Sequence, residues 1–236
     1  MLQGLTIVLP CHNEAPNVES AVAESLAAGR ACAASVQVVV VDDGSRDGTG
    51  EIAARLSASH PEVDVVTHDD CRGYGCAMRS GIAAAREPWV FLTDADLQFD
   101  LAQLPAFIEG AEELDVVHGY RIARRDPLHR RMTAGAWNHL VRALFAIPVR
   151  DVDCAFKLIR RELALALDLF SEGATFSTEL VVKAQHAGAR IEERGVEHRP
   201  RIAGQQSGNR PAVVARAFRE LLELRQTPGV RTPVAR

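Results

Sequence analysis

The sequence predicts an α/β protein, a mostly parallel central sheet with helices on both faces. Three observations carry this. Short apolar runs at 5–9, 36–41, 63–67, 89–93 and 116–119 alternate with segments of helical period. Turn-forming Gly, Pro and Asp residues punctuate the boundaries. Polar residues follow the strands at 11–14, 42–45, 68–74 and 94–98, the edge where open parallel sheets bind ligands.

The first run, Leu-Thr-Ile-Val-Leu at 5–9, is a strand stopped by Pro10. Pro16 suits a first helical turn, and helical spacing continues over 18–26 until Gly29. The second strand, 36–41, breaks at Asp42-Asp43-Gly44-Ser45, and a helix follows over 49–57. Strand 63–67 leads through a glycine-containing loop to a helix at 77–86. Strand 89–93 is followed by a helix at 101–112 and a short strand at 116–119. Beyond it, 121–131 is dense in arginine and is expected to be mobile. Helices are expected at 137–145, up to Asp168, and at 176–187 ending at Gly188. Strands are expected at 151–159 and 191–196, and a polar loop at 204–209. Residues 211–226 form an amphipathic helix, and the tail, 227–236, should fray.

The chain of 236 residues is expected to hold one domain over 1–226, with 1–119 and 120–226 as two functional halves. Hydrophobic residues make up 47% and charged ones 25%, as in a globular protein. A net charge of -4 argues against a nucleic-acid partner. Five scattered cysteines without a C-x-x-C pair argue against zinc or a disulfide framework and for a reducing, cytoplasmic compartment. Met1-Leu2-Gln3-Gly4 runs straight into the first strand, so no signal peptide is expected. No stretch nears the ~20 apolar residues of a membrane span, so any membrane contact would be peripheral.

Thr93-Asp94-Ala95-Asp96-Leu97 closes the apolar run Trp89-Val90-Phe91-Leu92. Carboxylates one residue apart repel unless a cation sits between them. Hard oxygen ligands suit a divalent metal whose shell a substrate phosphate completes. The plainer alternative is a helix cap or turn. Asp42-Asp43-Gly44-Ser45-Arg46-Asp47-Gly48-Thr49 exceeds what a capped turn needs, and a carboxylate there can accept from a base or ribose. Pro10-Cys11-His12-Asn13-Glu14 could touch a nucleotide or merely cap a helix. Gly73-Tyr74-Gly75 could approach a phosphate, but Met78 stands where a dinucleotide fingerprint needs glycine. Arg121, Arg124, Arg125, Arg130 and Arg131 suit an anionic substrate or a solvated face. Glu179 lies in a helical first turn, which the helix dipole favours. The histidines show no metal-ligand spacing.

Taken together, these motifs resemble a family 2 glycosyltransferase of the inverting type with the GT-A, Rossmann-like fold, nearest the dolichol-phosphate mannose synthase-like enzymes. The matching residues are Leu9-Pro10-Cys11-His12-Asn13-Glu14, the Asp42 to Thr49 segment and Thr93-Asp94-Ala95-Asp96-Leu97-Gln98. Asp151-Val152-Asp153-Cys154-Ala155-Phe156-Lys157 and His198-Arg199-Pro200-Arg201 complete the set. The resemblance implies that Pro10, His12, Glu14 and Asp42 hold a nucleotide base and ribose. It implies that Asp94, Asp96 and Gln98 surround Mg2+ or Mn2+ on the donor diphosphate, with Asp96 catalytic. Arg121 and Arg131 would hold phosphates, and Glu179 would stand near the acceptor. His12 departs from the usual aromatic, and Ala155 from the usual glycine. No Gln-x-x-Arg-Trp motif of processive synthases is present, which points to single-sugar transfer.

The implied donor is a nucleotide sugar, and the acceptor divides two readings. A polyprenyl phosphate is already an anion and needs no general base. A hydroxyl on a small molecule or peptide needs one, with Glu179 as the candidate. The 211–226 helix could lie on a bilayer, pack on the domain or join a second copy as a homodimer. A nucleotidyltransferase would need a glycine- and lysine-rich phosphate loop near residues 5–14, which is missing. A non-catalytic sugar-nucleotide module would not need the Asp94 and Asp96 pair.

Overall fold

The structure, a computed structural model, describes residues 1–122, 128–199, 211–228 and 230. Its elements are β1 (Leu2–Cys11), α1 (Val18–Cys32), β2 (Ala33–Asp43), α2 (Thr49–Ser59), β3 (Val63–His68), α3 (Tyr74–Ala84) and β4 (Trp89–Leu92). There follow α4 (Leu104–Phe107), β5 (Val116–Arg121), α5 (Leu128–Phe145), β6 (Lys157–Arg160), α6 (Arg161–Ala166), α7 (Phe176–His186), β7 (Ile191–Val196) and α8 (Pro211–Gln226).

The strands form one sheet in the order β3-β2-β1-β4-β6-β5-β7. Four pairings are parallel; β6 runs antiparallel to both β4 and β5. The chain steps outward from β1 through β2 to β3, then returns to lay β4 on the other side of β1. The crevice past the ends of β1 and β4 is therefore the switch point where such sheets bind ligands.

Alternation of side chains places apolar residues on both faces, as a sheet covered on both sides requires. Leu5, Ile7 and Leu9 of β1 join Val38, Val40, Trp89 and Phe91 in one core, beneath α1, α2 and α4. Val8, Val39, Val41, Val90 and Leu92 face the other core, with α3, α5, α7 and α8. Phe156 anchors the first core near the crevice, with its ring 4.6 Å from Phe91 and 4.7 Å from Phe107.

Several elements differ from expectation for local reasons. Pro10 does not stop β1, because pairing with β4 ends at Val8 and its missing N–H is not needed there. The helix expected over 101–112 breaks into short turns around Pro105 and Gly110, which sits at φ +68°. The strand expected over 151–159 shrinks to β6. Helix α5 starts at Leu128, so the arginine-rich stretch is helical from there; Arg124 and Arg125, and the side chains of Arg130 and Arg131, lie outside the described residues. So does the loop expected at 204–209. The expected fraying at 227 is corrected as far as Val230, which is buried against the second core. Helix α8 packs on the body through Leu221 and Leu224, while Phe218 and Leu222 are exposed. Among the described residues no helix is long and apolar enough to cross a membrane.

Replacing Phe156 by Ala removes the ring that ties Phe91, Phe107 and Phe99 together. The expected loss is about 3–5 kcal/mol in denaturant unfolding.

Candidate active site

Four strand-end loops meet at the crevice. The first two are laced to one another. His12 Nδ1–H donates to the Asp43 carbonyl at 2.8 Å, and Asn13 Nδ2 donates to His12 Nε2 at 3.1 Å. These two contacts fix the orientation of the ring. Asn13 takes a left-handed turn at φ +57°, so that its N–H reaches Ser45 Oγ at 2.9 Å and its Oδ1 accepts from the Arg46 N–H at 2.9 Å. The Glu14 N–H donates to Thr49 Oγ1 at 2.9 Å, and its carboxylate accepts from Asn17 at 2.6 Å. Asp47 accepts the Ala15 N–H at 3.1 Å and the Thr49 N–H at 3.1 Å. Burial works to raise the Asp47 pKa, but the hydrogen bond from the Thr49 hydroxyl, with those from the Ala15 and Thr49 amides, outweighs it and holds it below the usual value.

Asp42 and Asp43 are both buried, with different tasks. Asp42 Oδ1 accepts the Ser45 N–H at 3.1 Å, and Gly50 leaves room for its other oxygen, since a Cβ there would stand 2.5 Å from Oδ2. Asp43 is a loop clamp. It accepts from His68 Nδ1 at 2.7 Å, from the Arg72 N–H at 2.9 Å and from the Gly73 N–H at 2.8 Å. Burial opposes its charge, yet the hydrogen bonds from His68, Arg72 and Gly73 hold its pKa below the usual value.

The β4 end carries Asp94, half-buried, and Asp96, 8% exposed. Leu97 turns left-handed at φ +60°, and the Gln98 N–H returns to Asp96 Oδ1 at 3.1 Å. Burial, then the neighbouring Asp96 charge, pushes Asp94 up to about 7, against the pull of Lys157, Tyr74 and Arg121. A hard carboxylate whose pKa is raised by burial and by a second carboxylate beside it belongs to the donor set a divalent cation neutralises, so these residues fit Mg2+ or Mn2+. Among the described residues no group of three or more His, Cys, Asp or Glu side chains that could hold a metal ion is found. Gln98, the expected third member, donates its Nε2 to the Arg199 carbonyl at 3.2 Å, which ties it to the segment after β7.

Arg121 is not free for phosphates in the way expected. It is held bidentately by Asp151, with Nε–Oδ2 and Nη2–Oδ1 both 2.7 Å. Burial works to lower its pKa, but the Asp151 carboxylate outweighs it, so the guanidinium stays charged and acts on Asp94 from nearby. The Arg131 side chain lies outside the described residues.

Glu179 is corrected as a general base. It is fully buried in the first turn of α7, where its oxygens accept the Phe170 N–H at 2.9 Å and the Ser171 N–H at 2.8 Å. Lys183 pairs with it at 2.7 Å. A carboxylate so engaged fixes a loop and has no access to an acceptor proton.

The structure brings forward residues to which the motifs assigned no role. A cavity of about 150 Å³ beside Asp94 is lined by Tyr74, Asp153, Ala155, Ala174 and Ser177. Tyr74 donates to Asp94 and is held well above its usual pKa by burial and that carboxylate, so it remains a donor. Lys157, at the start of β6, is buried with its Nζ donating to the Cys154 carbonyl and to Ser177 Oγ at 3.1 Å. A lysine opening an apolar run, Lys157-Leu158-Ile159, was the signal available in the sequence. Gly73 and Gly75 serve close backbone approach to 171–172: a Cβ at Gly75 would stand 2.2 Å from the Ser171 carbonyl oxygen.

This crevice, with two acidic residues past β4 and anchored loops past β1 and β2, is that of a glycosyltransferase with the GT-A fold. A family model described as glycosyl transferase family 2 matches residues 6–167, and the chain belongs to that family. The glycosyltransferase AglD of Haloferax volcanii is 33% identical over 208 residues, 84% of this chain but 33% of that protein. An uncharacterized glycosyltransferase of Mycobacterium tuberculosis is 32% identical over 85% of this chain and 88% of its own length. The undecaprenyl-phosphate 4-deoxy-4-formamido-L-arabinose transferase of Pectobacterium atrosepticum is 29% identical over 74% of this chain and 54% of its own length. Among solved structures, glucosyl-3-phosphoglycerate synthase from Mycobacterium tuberculosis, crystallised with Mn2+, UDP and phosphoglyceric acid, superposes with a TM-score of 0.75. It is 21% identical, over 96% of this chain and 80% of that one, and the likeness establishes the shared fold.

One buried group near the site makes stability acid-sensitive. His118 is fully buried, and its Nε2–H donates to the Asp151 carbonyl at 3.0 Å. Burial, with Lys157 nearby, pushes its pKa down to about 3. The unfolded chain takes up this proton near pH ~6.5, so the contribution is complete above that pH and is lost as pH falls toward the folded value. Unfolding free energy from urea melts is expected to fall between pH 7 and pH 5 by up to about 1.4 kcal/mol per unit from this group, and His118→Gln to flatten the slope.

Proposed function

We propose that the protein is a metal-dependent inverting glycosyltransferase that moves one sugar from a nucleotide sugar to a polyprenyl phosphate. The observation that carries this is the Asp94 and Asp96 pair set beside a cavity lined by carboxylates and hydroxyls, Asp94, Asp153, Tyr74 and Ser177. Such groups match sugar hydroxyls. Asp94 and Asp96 would hold Mg2+ or Mn2+, which when bound supplies positive charge to the leaving diphosphate. The loops carrying His12, Glu14 and Asp42 hold base and ribose. Lys157 and Arg121 add positive charge beside Asp94. The acceptor oxygen bonds to the anomeric carbon as the bond to the nucleoside diphosphate breaks, inverting that centre.

The acceptor assignment draws support from the engagement of Glu179 and from the undecaprenyl-phosphate transferase among the relatives. A phosphate oxygen needs no base. The second reading is a hydroxyl acceptor, and the observation favouring it is Asp153 on the cavity wall, which takes the place of Glu179 as candidate base.

Asp96→Ala is expected to lose roughly three orders of magnitude in transfer, measured against a panel of GDP- and UDP-sugars, and excess chelator to do the same. Full turnover in either case would sink the metal assignment. Asp153→Asn separates the acceptors. With a polyprenyl phosphate, transfer stays within about threefold of wild type; a loss of about 10²-fold or more identifies a base acting on a hydroxyl.

A further inference from the structure

Residues 170–175 form the cavity wall that carries Ala174 and leads into Ser177. The segment is held at four consecutive amides by two buried carboxylates. Glu179 takes Phe170 and Ser171. Glu220, from α8, takes the Glu172 N–H at 3.1 Å and the Gly173 N–H at 3.2 Å, both on Oε1. From the opposite side, the Gly75 N–H donates to the Glu172 carbonyl at 2.8 Å. One turn of α8 completes the grip. Thr175 Oγ1 donates to the Ala217 carbonyl at 3.4 Å, and Arg216 Nη1 lies 3.7 Å from Glu172 Oε2.

Glu220 is 4% exposed, although Arg219 and Glu223 on the same helix lie in solvent. Its Oε2 has no hydrogen-bond partner among the described residues. Burying a carboxylate is costly, so its presence calls for a compensating role. The amides of Glu172 and Gly173 supply it. The wall reaches the reactive end through Ser177, which accepts from Lys157, the cation acting on Asp94. The family match ends at residue 167, so the wall and α8 both lie beyond it.

We propose that Glu220 is a positioning residue for sugar transfer, by which the C-terminal helix sets the cavity wall. The inference rests on the glycosyl-transfer reading above. Loss of the clamp displaces Ala174 and Ser177 while leaving the loops of His12 and Asp42 in place. A wall displaced by about 1 Å can cost up to about 10²-fold in rate.

The test compares wild type, Glu220→Ala, Glu220→Gln and the milder Thr175→Val in the full chain. UDP and GDP binding with Mn2+ is read by calorimetry, transfer by steady-state kinetics, and mobility of 170–177 by amide hydrogen exchange. Glu220→Ala is expected to bind nucleoside diphosphate within about twofold of wild type yet to lose about 10- to 100-fold in kcat/KM, with faster exchange at 170–177. Glu220→Gln keeps an oxygen at the Oε1 position and is expected to restore most of the activity. Thr175→Val is expected to show the same split at lower amplitude, which covers the case of Glu220→Ala failing to fold. Normal transfer in Glu220→Ala and Thr175→Val despite faster exchange overturns the proposal. So does a parallel loss of nucleotide binding and transfer that Glu220→Gln leaves unrescued. A wild type that binds nucleotide but transfers no sugar overturns the glycosyl-transfer reading instead, and the exchange data still report the clamp.

Discussion

Repulsion between two carboxylates, Asp94 and Asp96, organises the reactive end of this molecule. Each sits past a buried strand, where water cannot fully screen it. The surrounding chain answers with groups of the opposite kind. Lys157 is buried at the head of β6, Arg121 is held at the tail of β5, and Tyr74 donates from the head of α3. Each needs its own support. Asp151 keeps Arg121 charged, the Cys154 carbonyl and Ser177 hold Lys157, and Asp43 holds the loop that delivers Tyr74. Removing any one support changes the field at the pair without touching it.

The same residue type performs a second task throughout the structure. Asp43, Asp47, Glu179 and Glu220 spend their oxygens on backbone amides of loops that no strand or helix would otherwise satisfy. Irregular backbone near a binding crevice cannot use ladder hydrogen bonds, and an unpaired buried amide costs about 1–3 kcal/mol. Buried carboxylates therefore act as local substitutes for secondary structure. Acidic residues at the crevice thus fall into two groups, those that face the cavity and those turned into the fold.

That distinction marks the limit of what the sequence reveals. The alternation of apolar runs and helical segments is a periodic property, so the parallel sheet, its crevice and the placement of Asp42 and Asp94 were legible. Glu179 was misread because a first-turn carboxylate looks the same whether it faces a cavity or a neighbouring loop. Its partners, the Phe170 and Ser171 amides, are eight or nine residues away and are brought close only by a turn that has no residue signature. The hydrogen bond from Gln98 was hidden for a similar reason, since its partner is Arg199, 101 residues further on. Gly73-Tyr74-Gly75 suggested phosphate, whereas the space left by the missing Cβ atoms is filled by residues 171–172.

The reversed direction of β6 has a consequence for how such an enzyme can change its substrate. A parallel strand offers the crevice only the loop that leaves it. Because β6 begins where β4 ends, with Lys157 beside Leu92, the loop that enters it also opens onto the crevice. That entering segment, 151–156, carries Asp151, Asp153 and Ala155. Asp151 and Phe156 are tied to Arg121 and to the first core, but the cavity-lining side chains of Asp153 and Ala155 can vary with little effect on the helical crossovers that build the rest of the sheet. One inverted strand thus gives the fold a separately adjustable panel at its reactive edge, and a library aimed at new sugars belongs there rather than among the nucleotide loops.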